Sequence, residues 1–516
     1  MKKLFISLMA VSAMLTSCNM DTPAPGVLDD ATAIDGVKSA QYFRNNIYNG
    51  FRAMSTGVYV AGTELAMDQF VGMSTNGNRG GLFANGDQIN ASNPDIASIY
   101  GACYSRIADT NYFIEKANAL LDGGSLNQQE SLEVKRYIGE ARFARAYYYF
   151  YLFDHYCQTY DKAKGNQEGL GLQLQLVYNP TGDTSKYPGR SSMNASLKVI
   201  NDDLDAAYKA LKAYEDAGNT ANCVAGAAYL SSYAVEALRA RVALAIGDYE
   251  TAVTSAQAVI ANTNYQLLAG QAYIDMWNDA NVSELIFAPF VDASESAYIS
   301  SNCGQWNYWS TDVNQCDYIP TSQVVWSFVD ETGNVADARF FAFLKRAPLN
   351  AQGGTAKTYV FNKYPGNDAL ITSSNLYKNT PKPFRLSEQY LILAEAAAMA
   401  GGKDDIANKA INDLVKNRHL NYTEVERVGE DLIQFIREER GKELIGEGFR
   451  MSDLRRWKVG FDRNQVYDLD PTVAASRVLA GLKTAYAADD YRYVWPIPYD
   501  EMAITPALAG QQNPGY

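Results

Sequence analysis

A helix–turn–helix pattern at residues 233–260 constrains the fold more than any other feature of this chain. The segment reads YAVEALRARVALAIGDYETAVTSAQAVI, with apolar residues at helical spacing on both sides of a Gly-Asp-Tyr turn. Small residues at Ala240 and Ala252, with Gly247 at the turn, would let two antiparallel helices approach closely. A single helical hairpin cannot bury its apolar faces alone, so several such units are expected to stack.

A second copy of this pattern is predicted at residues 384–420, with Gly401-Gly402 at the turn and Ala394 and Ala407 at the close contacts. Residues 131–157 resemble half of another unit. The spacing of small residues resembles that of tetratricopeptide repeats. Helical patterning is also predicted at residues 37–54, 95–121, 195–213 and 229–262. The sequence therefore predicts a mostly α fold built on a tetratricopeptide-like helix-pair scaffold.

Residues 263–383 break the helical pattern. They contain short apolar runs such as residues 285–288, many turn residues and a dense aromatic segment. We predict an irregular, loop-rich lobe with a few short strands, inserted between a helical region at 36–262 and a C-terminal region at 384–516. Trp326, in the run VVWSFV, is expected to pack in the core. Long loops on a rigid scaffold are where binding sites are usually found.

The N-terminus carries an export signal. Lys2 and Lys3 precede an apolar stretch that ends in Leu15-Thr16-Ser17-Cys18, and the stretch is too short to span a bilayer. This pattern resembles the bacterial lipoprotein box, which implies that residues 1–17 are removed and that Cys18 is lipidated. Residues 18–35 then read as a flexible tether. The alternative is a plain signal peptide with a chance cysteine.

Charge and composition exclude several classes of function. The formal charge is −13, and loss of Lys2 and Lys3 with the leader would make it more negative, which argues against nucleic-acid binding. The two histidines, His155 and His419, are too far apart in sequence to suggest a metal site or a catalytic triad. The 36 tyrosines suit a sugar or peptide ligand, although most of them are expected to fill helix–helix contacts.

Three C-terminal blocks carry a family resemblance: PFRLSEQYLILAEAAAMAG near 382–401, FIREERGKELIGEGFRMSDLRRW at 435–457 and YVWPIPYDEMAITPALAGQQNPGY at 493–516. With the lipoprotein box and the Gly-Asp-Tyr helix pair, they resemble the SusD/RagB family of outer-membrane lipoproteins. The resemblance implies a non-catalytic, surface-exposed protein that captures an oligosaccharide, or in some branches a peptide, and delivers it to a TonB-dependent, SusC-like barrel transporter. A lipid-anchored glycosidase and a structural tetratricopeptide adaptor remain alternatives.

Two loops are candidate ligand sites, although no motif transfers the family's contact positions one by one. The first holds Trp306, Asn307, Tyr308 and Trp309; if the segment is extended, Trp306 and Tyr308 share one face. Indole rings can stack on sugar C–H faces, but the same aromatics could simply cover the core. The second loop, residues 72–86, holds Asn76, Asn78 and Arg79, which can bind diols or merely form turns.

Cysteine usage and metal binding are left open. Beyond Cys18 there are five cysteines, an odd number, so at least one thiol is free unless it pairs between chains. Cys303 and Cys316 are the best candidate pair, but they are equally compatible with two free thiols. Loops rich in Asp and Asn are compatible with calcium, although no twelve-residue calcium loop is present. No other cofactor is predicted.

The charge-dense helix at 435–443 is predicted to be structural. Its acids alternate with Arg and Lys, which would keep the carboxyl pKa values low and unsuited to acid–base catalysis. Gly446 and Gly448 are expected to end this helix. On the next helix, Arg450 and Asp453 lie three residues apart and are expected to form an ion pair.

Overall fold

The computed structural model describes residue 30 and residues 32–72, 86–219, 227–294, 318–351, 354–371, 378–463 and 485–516. The helices are α1 (Val37–Met54), α2 (Val58–Leu65), α3 (Pro94–Asp122), α4 (Gln128–Tyr156), α5 (Met193–Tyr214), α6 (Ser232–Ile246), α7 (Tyr249–Ile260), α8 (Gly270–Met276), α9 (Ser322–Trp326), α10 (Ala338–Phe343), α11 (Leu386–Ala400), α12 (Asp404–Val415), α13 (Gly429–Glu443), α14 (Arg450–Trp457) and α15 (Tyr499–Ile504).

The strands are short: β1 (Phe70–Gly72), β2 (Leu285–Phe287), β3 (Tyr318–Pro320), β4 (Leu344–Ala351), β5 (Gly354–Phe361), β6 (Phe384–Arg385), β7 (Phe461–Asp462) and β8 (Ala485–Tyr486). They form two-stranded antiparallel pairs, β1 with β3, β2 with β6, β4 with β5 and β7 with β8. The fold is mostly α with tetratricopeptide-like helix pairs, as predicted from the sequence. Among the described residues, no helix combines the length and apolar character needed to cross a membrane.

Local sequence signals set the helix ends. Asn93 accepts hydrogen bonds from the backbone N–H groups of Asp95 and Ile96 and so caps α3. Asn127 and Glu130 form a reciprocal capping box at the start of α4. Between α6 and α7, Gly247 adopts a left-handed conformation with φ of 75°, and glycine tolerates this conformation better than any other residue. The predicted Gly-Asp-Tyr turn is therefore confirmed.

The two predicted hairpins stack on each other although they lie far apart in sequence. Helix α7 packs against α6 on one side and against α11 on the other, and α11 in turn packs against α12 and α13. Ala240, Ala252, Ala394 and Ala407 are all fully buried in one apolar cluster. The small residues thus lie at the close helix contacts, as the sequence predicts, because each hairpin covers the apolar face that the other would leave exposed.

The N-terminal helices form a second, larger apolar cluster with the lobe. Helix α4 contacts α1, α3 and α5. Its Gly139 lies so close to α5 that an added Cβ would come within 2.7 Å of the Ala210 side chain. A larger residue at this position would push the two helices apart.

Trp326 is not in the core, and the prediction that it packs there is wrong. Its side chain is 50% exposed, whereas Val324, Val325 and Phe328 are buried. The run VVWSFV forms the short helix α9 and the turn after it, and in a helix a residue two positions after a buried one points to a different face. The apolar composition of the run does not indicate that Trp326 faces away from the core.

A buried ionic cluster joins the lobe to α13. Glu443 accepts hydrogen bonds from Arg339, Arg385, Arg418 and the hydroxyl of Tyr273. Burial opposes ionisation of Glu443, but Arg418, Arg385 and Arg339 hold its pKa well below the ordinary value. The prediction that the charge-dense helix is structural, with low carboxyl pKa values, is consistent with this arrangement.

The ion pair predicted between Arg450 and Asp453 is wrong. Arg450 makes a bidentate pair with Asp68, at 2.7 and 2.6 Å, and Asp453 accepts from Arg440 and Arg456 instead. Helical spacing identifies candidate partners on the same helix. Here, however, Arg450 binds a carboxylate from a distant segment, and Asp453 binds two other arginines.

Candidate functional site

A cleft of about 1,710 Å³, part of it open to solvent, lies where α13, α14 and β7 meet the lobe. Its wall on the lobe side comes from residues that follow β3, including Gln323 and Ser327 of the α9 region. Asp68 and Gln69, which precede β1, also line the cleft. About 700 Å³ of this space lies within the cleft itself, which is inside the roughly 300–1,000 Å³ range typical of ligand sites.

Partly exposed aromatic side chains line the cleft. Phe461 stacks against Tyr486 with ring centroids 4.9 Å apart, and Trp457 donates its indole N–H to Glu395 at 2.6 Å. These contacts hold both rings in place before a ligand arrives. Fixed aromatic faces of this kind stack on the C–H faces of sugar rings or on other flat ligands.

Polar groups between these rings could bind hydroxyl groups. The Gln434 amide donates to Glu438 at 2.9 Å, and both side chains are exposed. The Nε atom of Arg437 is buried and has no hydrogen-bond partner among the described residues. Gln69 is held by its amide N–H bond to the carbonyl of Gly441. The cleft therefore offers both donors and acceptors beside its aromatic faces.

The charges of the cleft balance. Three acids, Asp68, Glu438 and Asp462, face three bases, Arg437, Lys442 and Arg450. Burial opposes ionisation of Asp68, but the Arg450 guanidinium lowers the pKa of this carboxyl below its ordinary value. A balanced cleft favours a neutral ligand over a strongly charged one.

The ligand-site residues predicted from the sequence, Trp306, Asn307, Tyr308, Trp309, Asn76, Asn78 and Arg79, lie outside the described residues, as do Cys18, Cys303 and Cys316. The described residues that flank the two loops lie together. Gly72, which begins the loop at 72–86, pairs with Tyr318, which follows the segment that holds Trp306. Both loop assignments stay predictions.

Sequence reasoning missed the residues that build the described cleft. Trp457 is the last residue of the block at 435–457, which carries part of the family resemblance. Phe461 follows that block directly. The helical spacing of Val324, Val325 and Phe328 could have identified Trp326 as exposed. No comparable signal exists for Gln69, because the contact between this residue and Gly441 depends on the tertiary fold.

Within the described ranges, no group of three or more His, Cys, Asp or Glu side chains could hold a metal ion. Calcium binding therefore has no described site and stays a prediction. Cys103 and Cys157 are buried free thiols, and burial raises the pKa of both.

Two family models match separate parts of the sequence. One, described as the SusD family, matches residues 341–516. The other, described as "Starch-binding associating with outer membrane", matches residues 37–234. No curated protein matches the sequence.

Solved structures share this fold over almost the whole chain. A SusD superfamily protein from Bacteroides thetaiotaomicron is 24% identical, with a TM-score of 0.74, and the match covers 93% of this chain and 100% of the other. A SusD-like carbohydrate binding protein from Bacteroides vulgatus is 18% identical, with a TM-score of 0.72 and coverage of 92% and 98%. A laminarin binding SusD-like protein is 18% identical, with a TM-score of 0.66 and coverage of 93% and 99%.

Proposed function

The chain belongs to the SusD/RagB family, whose members bind glycans and associate with the outer membrane, and on this premise we propose that it captures an oligosaccharide in the cleft. The protein then delivers that ligand to a TonB-dependent, SusC-like barrel transporter and catalyses no reaction itself. The observation that carries the proposal is the combination of fixed aromatic rings and balanced charge in one large cleft.

The ligand class is a neutral glucan. Starch, in the description of one matching family, and laminarin, in the name of one similar structure, are both polymers of glucose. Each glucose ring presents C–H faces for Phe461 or Trp457 and hydroxyl groups for the amides and the Arg437 guanidinium. A cleft longer than one ring would bind several residues of such a polymer.

The charge state of the cleft supports binding without catalysis. A glycosidase needs one carboxylic acid that is still protonated near neutral pH to donate to the leaving group. Arg450 instead holds Asp68 in its ionised form. Ion-paired in this way, Asp68 is suited to shaping the cleft rather than to transferring protons.

Calorimetry with maltoheptaose, a laminarin oligosaccharide and a mixture of short peptides tests the proposal. We expect saturable binding of at least one glucan by the wild-type protein and a loss of about tenfold in affinity in Phe461→Ala. Tyr499→Ala is the matched control, because Tyr499 is an exposed aromatic on α15 that does not line the cleft. Peptide binding without glucan binding would instead identify a peptide-capturing member of the family.

The anchor and the transporter need separate tests. Cys18→Ser should abolish incorporation of a radiolabelled fatty acid and release the protein from the outer membrane. Affinity purification of the lipidated protein from its native membrane should recover a barrel transporter. Recovery of some other protein in place of a barrel would favour the tetratricopeptide adaptor.

A further inference from the structure

A second cavity, of about 110 Å³ and with a mouth open to solvent, borders a different face of α14. Phe449, Ser452 and Arg456 line this cavity, whereas Arg450 and Trp457 line the cleft. Residues three, four and seven positions apart share a face of a helix, so each set forms one side of α14. The helix is a common wall between the two spaces.

Aromatic rings from the N-terminal helices form the opposite wall of this cavity. Tyr59 of α2 and Tyr151 of α4 meet edge to face, with ring centroids 6.0 Å apart. The Tyr151 hydroxyl donates to the backbone carbonyl of Tyr59 at 2.9 Å. Both rings are therefore fixed, and Phe449 adds a further apolar side chain to the lining of the cavity.

One buried acceptor in the wall has no partner. The Nδ1 atom of His155 lies 2.7 Å from the carbonyl oxygen of Tyr151, so the ring carries its proton there and donates it. Burial lowers the pKa of His155, which keeps the ring neutral and leaves Nε2 as an acceptor. Among the described residues, Nε2 has no hydrogen-bond partner, and the side chain is only 4% exposed.

One buried donor in the same wall is also unpaired. Arg440 donates from Nε to both carboxylate oxygens of Asp453, at 3.0 and 2.9 Å, but its Nη1 has no partner within the described part of the chain. A buried polar group without a partner has lost its hydrogen bonds to water, and native proteins keep few such groups. A hydroxylated ligand could supply a donor for His155 and an acceptor for Arg440.

The charged groups of the cavity are already paired. Arg241 binds Glu388 at 2.6 Å, and Lys382 binds Asp279 at 2.6 Å. Arg456 is bound by Glu395 from α11. A charged ligand would have to compete with these pairs, whereas a neutral one would leave them in place.

We propose that this cavity is a second carbohydrate site that takes a single neutral sugar ring, back to back with the cleft across α14. The ring would lie against Tyr59 and Phe449 and exchange hydroxyl hydrogen bonds with His155 and Arg440. The choice of a sugar rests on the proposed function of the cleft. A binding site in this cavity does not depend on the cleft. It is supported by the unpaired atoms of His155 and Arg440 and by the aromatic wall of the cavity.

Ligand-observed NMR with D-glucose tests this site, since glucose is the unit that starch and laminarin share. Ala245→Phe should block the cavity, because Ala245 lies in its wall on α6 and carries no polar group. We expect this variant to weaken glucose binding at least about tenfold. Ala206→Phe, an equal enlargement on the exposed face of α5, should leave glucose binding within about twofold.

The pattern of outcomes separates the two sites. Glucose binding that survives Ala245→Phe, or that is lost equally in Ala206→Phe, would overturn the second site. A wild-type protein that binds long glucans but no glucose would also overturn it, with the proposed function of the cleft intact. If Ala245→Phe does not fold, His155→Phe keeps an aromatic ring, removes the Nε2 acceptor and should weaken glucose binding by a similar factor.

Discussion

Two buried regions of this protein are stabilised in opposite ways. The stack of α6, α7, α11 and α12 is an apolar cluster in which alanines let helices approach. The junction between α13 and the lobe is a cluster of charges centred on Glu443. The first region uses contacts that each hairpin prepares locally, whereas the second depends on partners from distant segments. This difference predicts how each region responds to substitution.

The largest expected effect is in the charged junction. Glu443→Ala leaves Arg385 and Arg418 buried without their carboxylate, and breaking a buried ion pair on one side costs about 3–5 kcal/mol. Chemical denaturation should show this loss of unfolding free energy. Glu438→Ala, five residues earlier on the same helix and exposed, is the control and should change stability by less than about 0.5 kcal/mol. Equal effects of the two changes would show that the junction is not held by charge.

A pH-dependent contribution is expected where the scaffold meets α14. Glu64 is fully buried on α2 and accepts backbone N–H bonds from Gly448 and Phe449, while burial raises its pKa to about 7. The folded protein therefore holds a proton at pH values where the unfolded chain, with an ordinary carboxyl pKa near 4.3, has lost it. The stabilising contribution is complete below about pH 4.3 and is lost as the pH rises to about 7.

The size of this effect is about 4 kcal/mol at most, at 1.36 kcal/mol per pKa unit. The measurement is the difference in unfolding free energy between the wild-type protein and Glu64→Gln across this pH range. The other carboxylates contribute equally to the wild-type protein and to the variant, so the difference isolates Glu64. Relative to wild type, the variant should gain stability as the pH rises from about 4.5 to about 8. A difference that does not vary with pH would contradict the raised pKa.

A smaller effect is expected in the apolar stack. Ala394→Leu places three extra carbon atoms at a fully buried helix contact, and such overpacking costs about 1–3 kcal/mol. Thermal unfolding monitored by circular dichroism measures the loss. Ala119→Leu on the exposed side of α3 makes the same substitution where space is free and should have almost no effect.

The smallest effect concerns the turn between α6 and α7. Gly247→Ala forces a side chain into the left-handed conformation at φ of 75°, which costs about 1 kcal/mol. A Cβ at this position would meet no atom closer than 3.8 Å, so the cost is conformational rather than steric. Gly101→Ala is the control, because Gly101 lies within α3, where alanine is the better helix former, and should be neutral or stabilising.

Local patterns predicted the helices well. The segments predicted at 37–54 and 195–213 correspond to α1 and α5, and both hairpin turns lie where glycine marks them. These elements follow from interactions between residues three or four positions apart, which the sequence displays directly. Trp326 shows the limit of such reasoning, because a run of apolar residues does not reveal which side of a short helix is covered.

The sequence by itself determined the helix pairs, because they are encoded in residues that lie close together along the chain. Only the tertiary structure decided the partners of Arg450 and the position of α14 between the cleft and the second cavity. These features join segments hundreds of residues apart, such as Asp68 with Arg450. Such contacts depend on the positions of several elements at once, and no spacing within the sequence encodes them.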